Sequence, residues 1–495
     1  MQKKKVVIIG AGLAGMSAAI TLAKAQQYEI TIVEKNAHLG GKLNVLHKDG
    51  FTFDLGPSIF TMPHLFENLF TMHNKTMSDY FELVPVRPHW RNFFEDKTVI
   101  DLTANVDDMS INPAISKTDI EALISYLDYT KTLYEFTNKT FFEHQSERKL
   151  DTLKYYNPLK IIQDSDMFST MDDGVRKHIK NPYMIDILNF FIKYVGSSPY
   201  DAPAILNLLP YIQWAFDLWY VKGGMFNLSK GLEKLIHELD ITVLTNHEVT
   251  SIEQSNQSIT NVIINHATTL PTDIVISNME VIPFYKHITK ETPAFIQAYE
   301  KKYGPSCSGF ALHLGLNKTY PQLAHHNVFY ANQQKQHFDK IFHEKTLTND
   351  PTIYLVAPMK TDPTQGPKDH EIIKILPHIP VLSEDKPFTE SDYATYKDNV
   401  LSKLERMGLT DLRKHIVTEE LWTPHTIQSM YYSNQGSIYG VVSDRKVNMG
   451  FKTPKHSKKY RNLYFIGGST NPGGGMPMVV LSGQQVVQQI KQRHS

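Results

Sequence analysis

The run Val6-Val7-Ile8-Ile9-Gly10-Ala11-Gly12-Leu13-Ala14-Gly15 constrains this chain more than any other ten residues. A β-branched run, three glycines in G-x-G-x-x-G register and the Ala-rich stretch Met16 to Ala23 predict a strand, a tight turn and a helix whose amino end receives a pyrophosphate. Gly10 permits the turn, Gly12 lets the backbone approach a phosphate, and Gly15 lets the helix lie close to the sheet. Leu13 and Ala14 fall within the same binding turn. A second strand, Glu29 to Val33, leads into Glu34 and Lys35 about twenty residues past the fingerprint, where ribose hydroxyls need an acceptor. An acid there argues against a 2′-phosphate.

The choice between NAD and FAD comes from Leu39-Gly40-Gly41-Lys42-Leu43. NAD domains normally continue directly into a third strand and helix, whereas flavoproteins of the glutathione reductase type place a Gly-Gly-Arg or Gly-Gly-Lys here. Gly41 and Lys42 therefore point to FAD. Nucleotide-domain features then recur far along the chain. Val221 to Met225 leads through a helical stretch, Leu228 to Leu235, into strand-like Ile241 to Leu244 and Glu248 to Ile252, with Val249 expected at the adenine. Asp273 to Asn278 reads as a buried strand. Near the carboxyl end, Asn462 to Ile466 runs into Gly467-Gly468-Ser469 and a Gly-rich loop, Asn471 to Met478, followed by a terminal helix. Backbone N–H groups in such a loop suit an anion. The expected architecture is α/β: a discontinuous Rossmann-like FAD-binding domain built from 1–60, 221–290 and 440–495. The stretches 61–220 and 291–439 are expected to form an inserted α+β substrate domain and a helical membrane-associating region.

Composition excludes several classes. The 495 residues carry 51 basic and 51 acidic side chains without a long Lys/Arg block, so no basic face for nucleic acid is expected. No stretch approaches the ~20 apolar residues of a membrane span, and nothing at the start reads as a signal peptide, so the cytoplasm is the expected compartment. Cys307 stands alone, which excludes intrachain disulfides and C-x-x-C chemistry; electron transfer must use a bound cofactor. No metal site is expected: the adjacent His325-His326 lacks helical i,i+4 spacing and reads as a polar loop. Met184, Ile187, Leu188, Phe191, Ile192 and Val195 form the apolar face of one predicted helix. Ala204 to Val221 is rich in Leu, Trp and Tyr, as in core packing, a greasy tunnel wall or a headgroup contact.

The ordered set Gly10-x-Gly12-x-x-Gly15, Gly40-Gly41-Lys42, Gly50-Phe51-Thr52-Phe53-Asp54-Leu55-Gly56-Pro57-Ser58, Tyr220-Val221-Lys222-Gly223-Gly224 and Asn471-Pro472-Gly473-Gly474-Gly475-Met476-Pro477 resembles the carotenoid desaturase and oxygenase family over essentially the whole chain. Phe191 to Ser198, Ser277 to Pro283, His343-Glu344-Lys345 and Asp350 to Val356 look more like its branch of C30 oxygenases, acting on 4,4′-diaponeurosporene or 4,4′-diapolycopene, than its desaturases. The resemblance implies FAD held also by Gly56, Pro57, Gly467, Gly468, Gly475, Met476 and Pro477. It further implies a long polyene substrate taken from a membrane surface, O₂ as co-substrate, and oxidation of terminal methyl groups to aldehydes. A polyene delocalises positive charge, so hydride removal needs orientation and a dry site more than a strong base. No catalytic acid or base is assigned; Asp54 and Arg91 are candidates, against the plainer readings of a loop cap and a surface ion pair. A desaturase of 4,4′-diapophytoene is the nearest rival. A flavin amine oxidase fits less well, because Gly473 to Met476 stands where that group carries an aromatic pair. A prenyl-lipid escort of the GDP-dissociation-inhibitor fold would keep the glycines without using flavin.

Overall fold

The computed structural model describes residues 3–147, 151, 165, 166 and 168–494. Five parallel strands form its organising sheet: β1 (Lys4–Ile9), β2 (Tyr28–Val33), β3 (Thr242–Leu244), β4 (Ile274–Ser277) and β5 (Leu463–Phe465). They lie in the order β5-β4-β1-β2-β3, so three remote stretches of chain close one sheet. Val7 of β1 stands opposite Thr31 on one side and Val275 on the other. Central parallel strands are covered on both faces, and Val6, Val7, Ile8 and Ile9 are accordingly all buried.

Three helices matter for the site: α1 (Leu13–Ala23), α2 (Phe226–Glu238) and α3 (Met476–His494). The small residues of α1 allow α3 to approach its backbone. A Cβ on Gly483 would lie 2.6 Å from the Ala14 carbonyl oxygen and 2.9 Å from the Ala18 nitrogen. Ser17 Oγ donates to the Val480 carbonyl at 2.7 Å across the same contact.

A second, mixed sheet runs Ile416–Trp422, Ala311–Leu316, Glu371–Ile379, Ile353–Val356, His326–Phe329, Trp90–Phe93 and Val99–Leu102, with Ser308–Gly309 beside Glu371–Ile379. Only Trp90–Phe93 and His326–Phe329 pair parallel. In Glu371–Ile379, Ile373 and Ile375 face a core shared with Tyr396, Val400 and Leu404 of the helix Glu390–Arg406. Side chains alternate along a strand, which turns Lys374, Leu376 and His378 to the opposite face.

Two expectations change, and two further apolar stretches take definite form. His325 and His326 are buried rather than in a polar loop: the His326 ring stacks on Trp90 at 4.7 Å and shares a hydrogen bond with the Tyr354 hydroxyl at 2.9 Å. Aromatic neighbours replace water around a neutral imidazole. The stripe from Met184 does not stay on one α-helix; Pro182–Phe190 gives way to a tighter 3₁₀ turn, Phe191–Tyr194. Ala204 to Val221 divides into a 3₁₀ turn, the helix Leu208–Phe216 and the strand Trp219–Val221. Pro210 sits in the first turn of that helix, where no N–H is needed. Phe60, Met62, Leu65 and Phe66, apolar and early in the chain, are buried and not free for a bilayer. Among the described residues, no helix is long and apolar enough to cross a membrane.

Candidate active site

The amino end of α1 is left open by its own sequence. Gly12 occupies the cap position and offers no side-chain oxygen, so the first N–H groups have no partner within the helix. A cavity of about 330 Å³ lies against them, bordered by Gly10, Gly12, Leu13 and Ala14. Gly15 stands behind this wall: a Cβ there would fall 2.1 Å from the Gly10 carbonyl oxygen. It sets the closeness of helix and turn.

One end of the cavity is polar. Glu34 Oε2 accepts the Ala11 N–H and Oε1 the Asn36 N–H, both at 2.8 Å. The buried carboxylate thus holds the glycine turn in place while facing the cavity beside Lys35 and Val249. Lys35 Nζ donates to the Ser429 carbonyl at 2.8 Å and lies 3.8 Å from the centre of the Tyr432 ring. The Tyr432 hydroxyl donates to Glu248 Oε1 at 2.6 Å, tying the 424–432 segment across this end. Burial lowers the Lys35 pKa, opposed by Glu248 and Glu34.

The other end is bordered by Gly41, Lys42, Gly56, Pro57, Gly467, Gly468, Gly475 and Met476. Pro477 does not border it; it is the second residue of α3. Lys42 Nζ donates to the carbonyls of Ser437 and Ile438, each at 3.2 Å, and pairs with Glu280 at 3.7 Å. Burial lowers the Lys42 pKa and raises that of Glu280, each opposed by the other's charge. Around these sit Leu55, Leu376, Trp422, Ile427, Ile438 and Tyr439.

Asn278 and Lys374 are among the cavity residues that the sequence did not mark as site residues. Asn278, just past β4, fills the space between Gly12 and Gly467, with its amide nitrogen 2.4 Å from where a Gly12 Cβ would stand. Lys374 reaches the cavity from the second sheet, donating to the Gly56 carbonyl and, at 3.1 Å, to Ser58 Oγ. Burial pulls its pKa down to about 8, opposed by Asp54. The available signal was a lysine inside the apolar strand run Glu371-Ile372-Ile373-Lys374-Ile375-Leu376.

Both acid–base candidates hold structure. Asp54 accepts the N–H groups of Met225 and Phe226 at 2.8 and 3.2 Å, closing the start of α2 from the end of a strand rather than from a loop. Arg91 makes a two-pronged pair with Asp101, at 2.8 and 2.7 Å, and donates to the Gln322 carbonyl at 3.0 Å. Neither residue borders the cavity. Among the described residues, no group of three or more His, Cys, Asp or Glu is placed to hold a metal.

The cavity's mixed lining separates a flavin dinucleotide from a simple nucleotide. Helix N–H groups and a braced carboxylate suit the diphosphate and ribose; the aromatic and aliphatic far end suits a flat redox ring. The protein is an FAD-dependent oxidoreductase. More narrowly, the chain belongs to the flavin containing amine oxidoreductase family, whose pattern matches residues 13–491. It is 53% identical to a 4,4′-diapolycopene oxygenase of Methylomonas sp, covering 98% of each chain. It is 47% identical to a 4,4′-diaponeurosporene oxygenase of Staphylococcus aureus, covering 99% of each. In structure it resembles an oxidoreductase from Methanosarcina mazei, with a TM-score of 0.67 at 14% identity over 98% of this chain and 100% of the other. That likeness shows the fold alone.

Proposed function

We propose that this chain oxidises terminal methyl groups of a C30 carotenoid, 4,4′-diaponeurosporene or 4,4′-diapolycopene, to aldehydes. The observation that carries this reading is the end-to-end similarity to oxygenases named for those two polyenes. The overall change is R–CH₃ + O₂ → R–CHO + H₂O. Four electrons leave the carbon and O₂ accepts four, so no outside reductant is needed. FAD, when bound, supplies a two-electron acceptor that withdraws hydride from a carbon.

The chain's own residues then bind, orient and keep the site dry. Gly10, Gly12, Leu13, Ala14, Glu34, Lys35 and Val249 hold the nucleotide half of FAD, with Gly15 setting the turn behind them. Gly41, Lys42, Gly56, Pro57, Gly467, Gly468, Gly475 and Met476 hold the flavin half, with Pro477 fixing the start of α3. Leu376, Trp422, Ile427 and Ile438 exclude water from the methyl group to be oxidised, which strengthens every fixed charge nearby. Residues 1–60, 221–290 and 440–495 serve the cofactor; 61–220 and 291–439 serve the substrate. A water-insoluble polyene has to be drawn from a bilayer, and the half-buried Trp214 and Trp219 within Ala204 to Val221 support a peripheral contact there.

The test is expression in cells that make 4,4′-diaponeurosporene or 4,4′-diapolycopene, followed by mass spectrometry. The expected product gains one oxygen and loses two hydrogens at each oxidised end. Loss of hydrogen pairs without oxygen would replace this reading with a desaturase. A purified protein that stays colourless and takes up no FAD would remove the enzymatic reading altogether. Unchanged liposome binding after replacing Trp214 and Trp219 by Ser would remove the membrane contact.

A further inference from the structure

Beside the Lys374 side chain lies a second, smaller space of about 20 Å³, whose polar lining is Asp54, Ser58, Tyr220, His313, His325 and Lys374. That is room for one water molecule, and polar cavities of this size hold water where apolar ones stay empty. Among the described residues, Lys374 alone borders both this chamber and the large cavity. The chamber also has groups in need of a partner. Both ring nitrogens of His313 and the Tyr220 hydroxyl are fully buried, and their backbone neighbours, at Asp54 and Glu420 for His313 and at Gly224 for Tyr220, stand outside good hydrogen-bond geometry. Each such group costs about 1–3 kcal/mol if left unpaired.

We propose that the chamber holds one ordered water, bonded by His313 and Tyr220, and that this water and Lys374 form a proton relay joining the large cavity to Asp54. The assignment rests on the reading of the large cavity as the flavin site. The carboxylate of Asp54 takes a proton from the water, the water takes one from the Lys374 ammonium, and the amine so formed takes one from that cavity. Only O–H and N–H bonds break and form, and no electron passes through the relay. Lys374 and Asp54 are positioning residues that set when a proton is available.

The titratable groups facing Lys374 come from four elements: Asp54 from Phe51–Asp54, Tyr220 from Trp219–Val221, His313 from Ala311–Leu316, and His325 just before His326–Phe329. Burial, aided at His313 by the Lys374 charge, holds both histidines at about 3, and burial lifts Tyr220 far up. They stay neutral near pH 8, where Lys374 exchanges its proton. Burial raises Asp54 above the ordinary carboxylate value, opposed by its bonds to Met225 and Phe226 and by the Lys374 charge.

The test is the midpoint potential of FAD bound to the full chain, measured against pH from 6.5 to 9.5 with no carotenoid present. The wild type should show a break near pH 8, its slope changing by about 30 mV per pH unit, which is one proton per two electrons. Lys374→Met should remove the break. Tyr220→Phe, which deletes one buried hydroxyl and keeps the lysine, should displace it by roughly half a pH unit or more. A straight line in the wild type, or the same break in Lys374→Met, overturns the relay. So does a crystal structure of the FAD-loaded protein with no water density between His313 and Tyr220. Since no carotenoid enters these measurements, a wrong substrate would leave every readout unmoved. An empty chamber would defeat the relay with the flavin reading intact.

Discussion

Glu34 is fixed by the turn it serves, and that makes its removal costly in a predictable way. Each carboxylate oxygen accepts a backbone N–H at 2.8 Å, and such charge-assisted bonds contribute about 1.5–3 kcal/mol each. Glu34→Gln keeps the shape but leaves one of these N–H groups facing an amide NH₂. FAD affinity should fall about tenfold to a hundredfold, read by titrating the apoprotein with FAD and following flavin fluorescence. An unchanged dissociation constant would sink the role given to this acid. Arg91 is the contrast. Its pair with Asp101 is partly exposed and worth at most about 1 kcal/mol, so Arg91→Ala should leave FAD binding and product yield as they were. Glu34 was legible in the sequence because its distance from the glycines is set within one strand-turn-helix-strand unit. Lys374 was not: which face of its strand looks at the cavity depends on pairing with Ala311–Leu316 and Ile353–Val356, a tertiary fact absent from local spacing.

Among the elements, the contact between α1 and α3 ties the first turn of the cofactor site to the last helix of the chain. The helices meet through Gly483, Ala14 and Ala18 with no room for a side chain. Gly483→Leu forces them apart, and overpacking of this kind costs about 1–3 kcal/mol. The urea midpoint should drop, and FAD should be lost at lower urea than in the wild type, because α1 carries the N–H groups proposed to hold the diphosphate. Equal midpoints for the variant and the wild type would show that the two helices are not held this closely. Element types were largely readable here: β1, α1 and β2 fall within three residues of the pattern, since β-branched runs and an Ala-rich helix obey simple periods. The break at Phe190 was not, because an apolar stripe at i+3 and i+4 looks alike in α-helical and 3₁₀ turns. The burial of His325-His326 was hidden for a different reason. Polar residues are buried only when neighbours remote in sequence, here Trp90, Tyr220 and Tyr354, surround them.

Taken as a whole, the molecule encloses several imidazoles that burial holds neutral, and that bears on how it meets acid. Burial holds His313, His325 and His337 at about 3 and His378 at about 4, and drives His326 well down. In the unfolded chain these five titrate near the ordinary value of about 6.5. As pH falls below that value, the unfolded state takes up protons that the folded state refuses. Their contribution to stability is therefore complete above about pH 6.5 and declines as pH drops below it, each histidine acting in the same sense. Buried acids act in the opposite sense: burial lifts Asp186 to about 7, against the pull of Arg176, and raises Asp54, Glu280 and Glu371. These four acids offset part of the effect of the five histidines. The melting temperature should fall steeply from pH 7 to pH 5 in buffers of equal ionic strength, by differential scanning calorimetry. His378→Asn removes one refused proton and should flatten the slope by that one contribution. A melting temperature independent of pH across this range would mean that water reaches these rings in the folded protein, and the dry interior needed to shield a polyene from solvent would be lost with it.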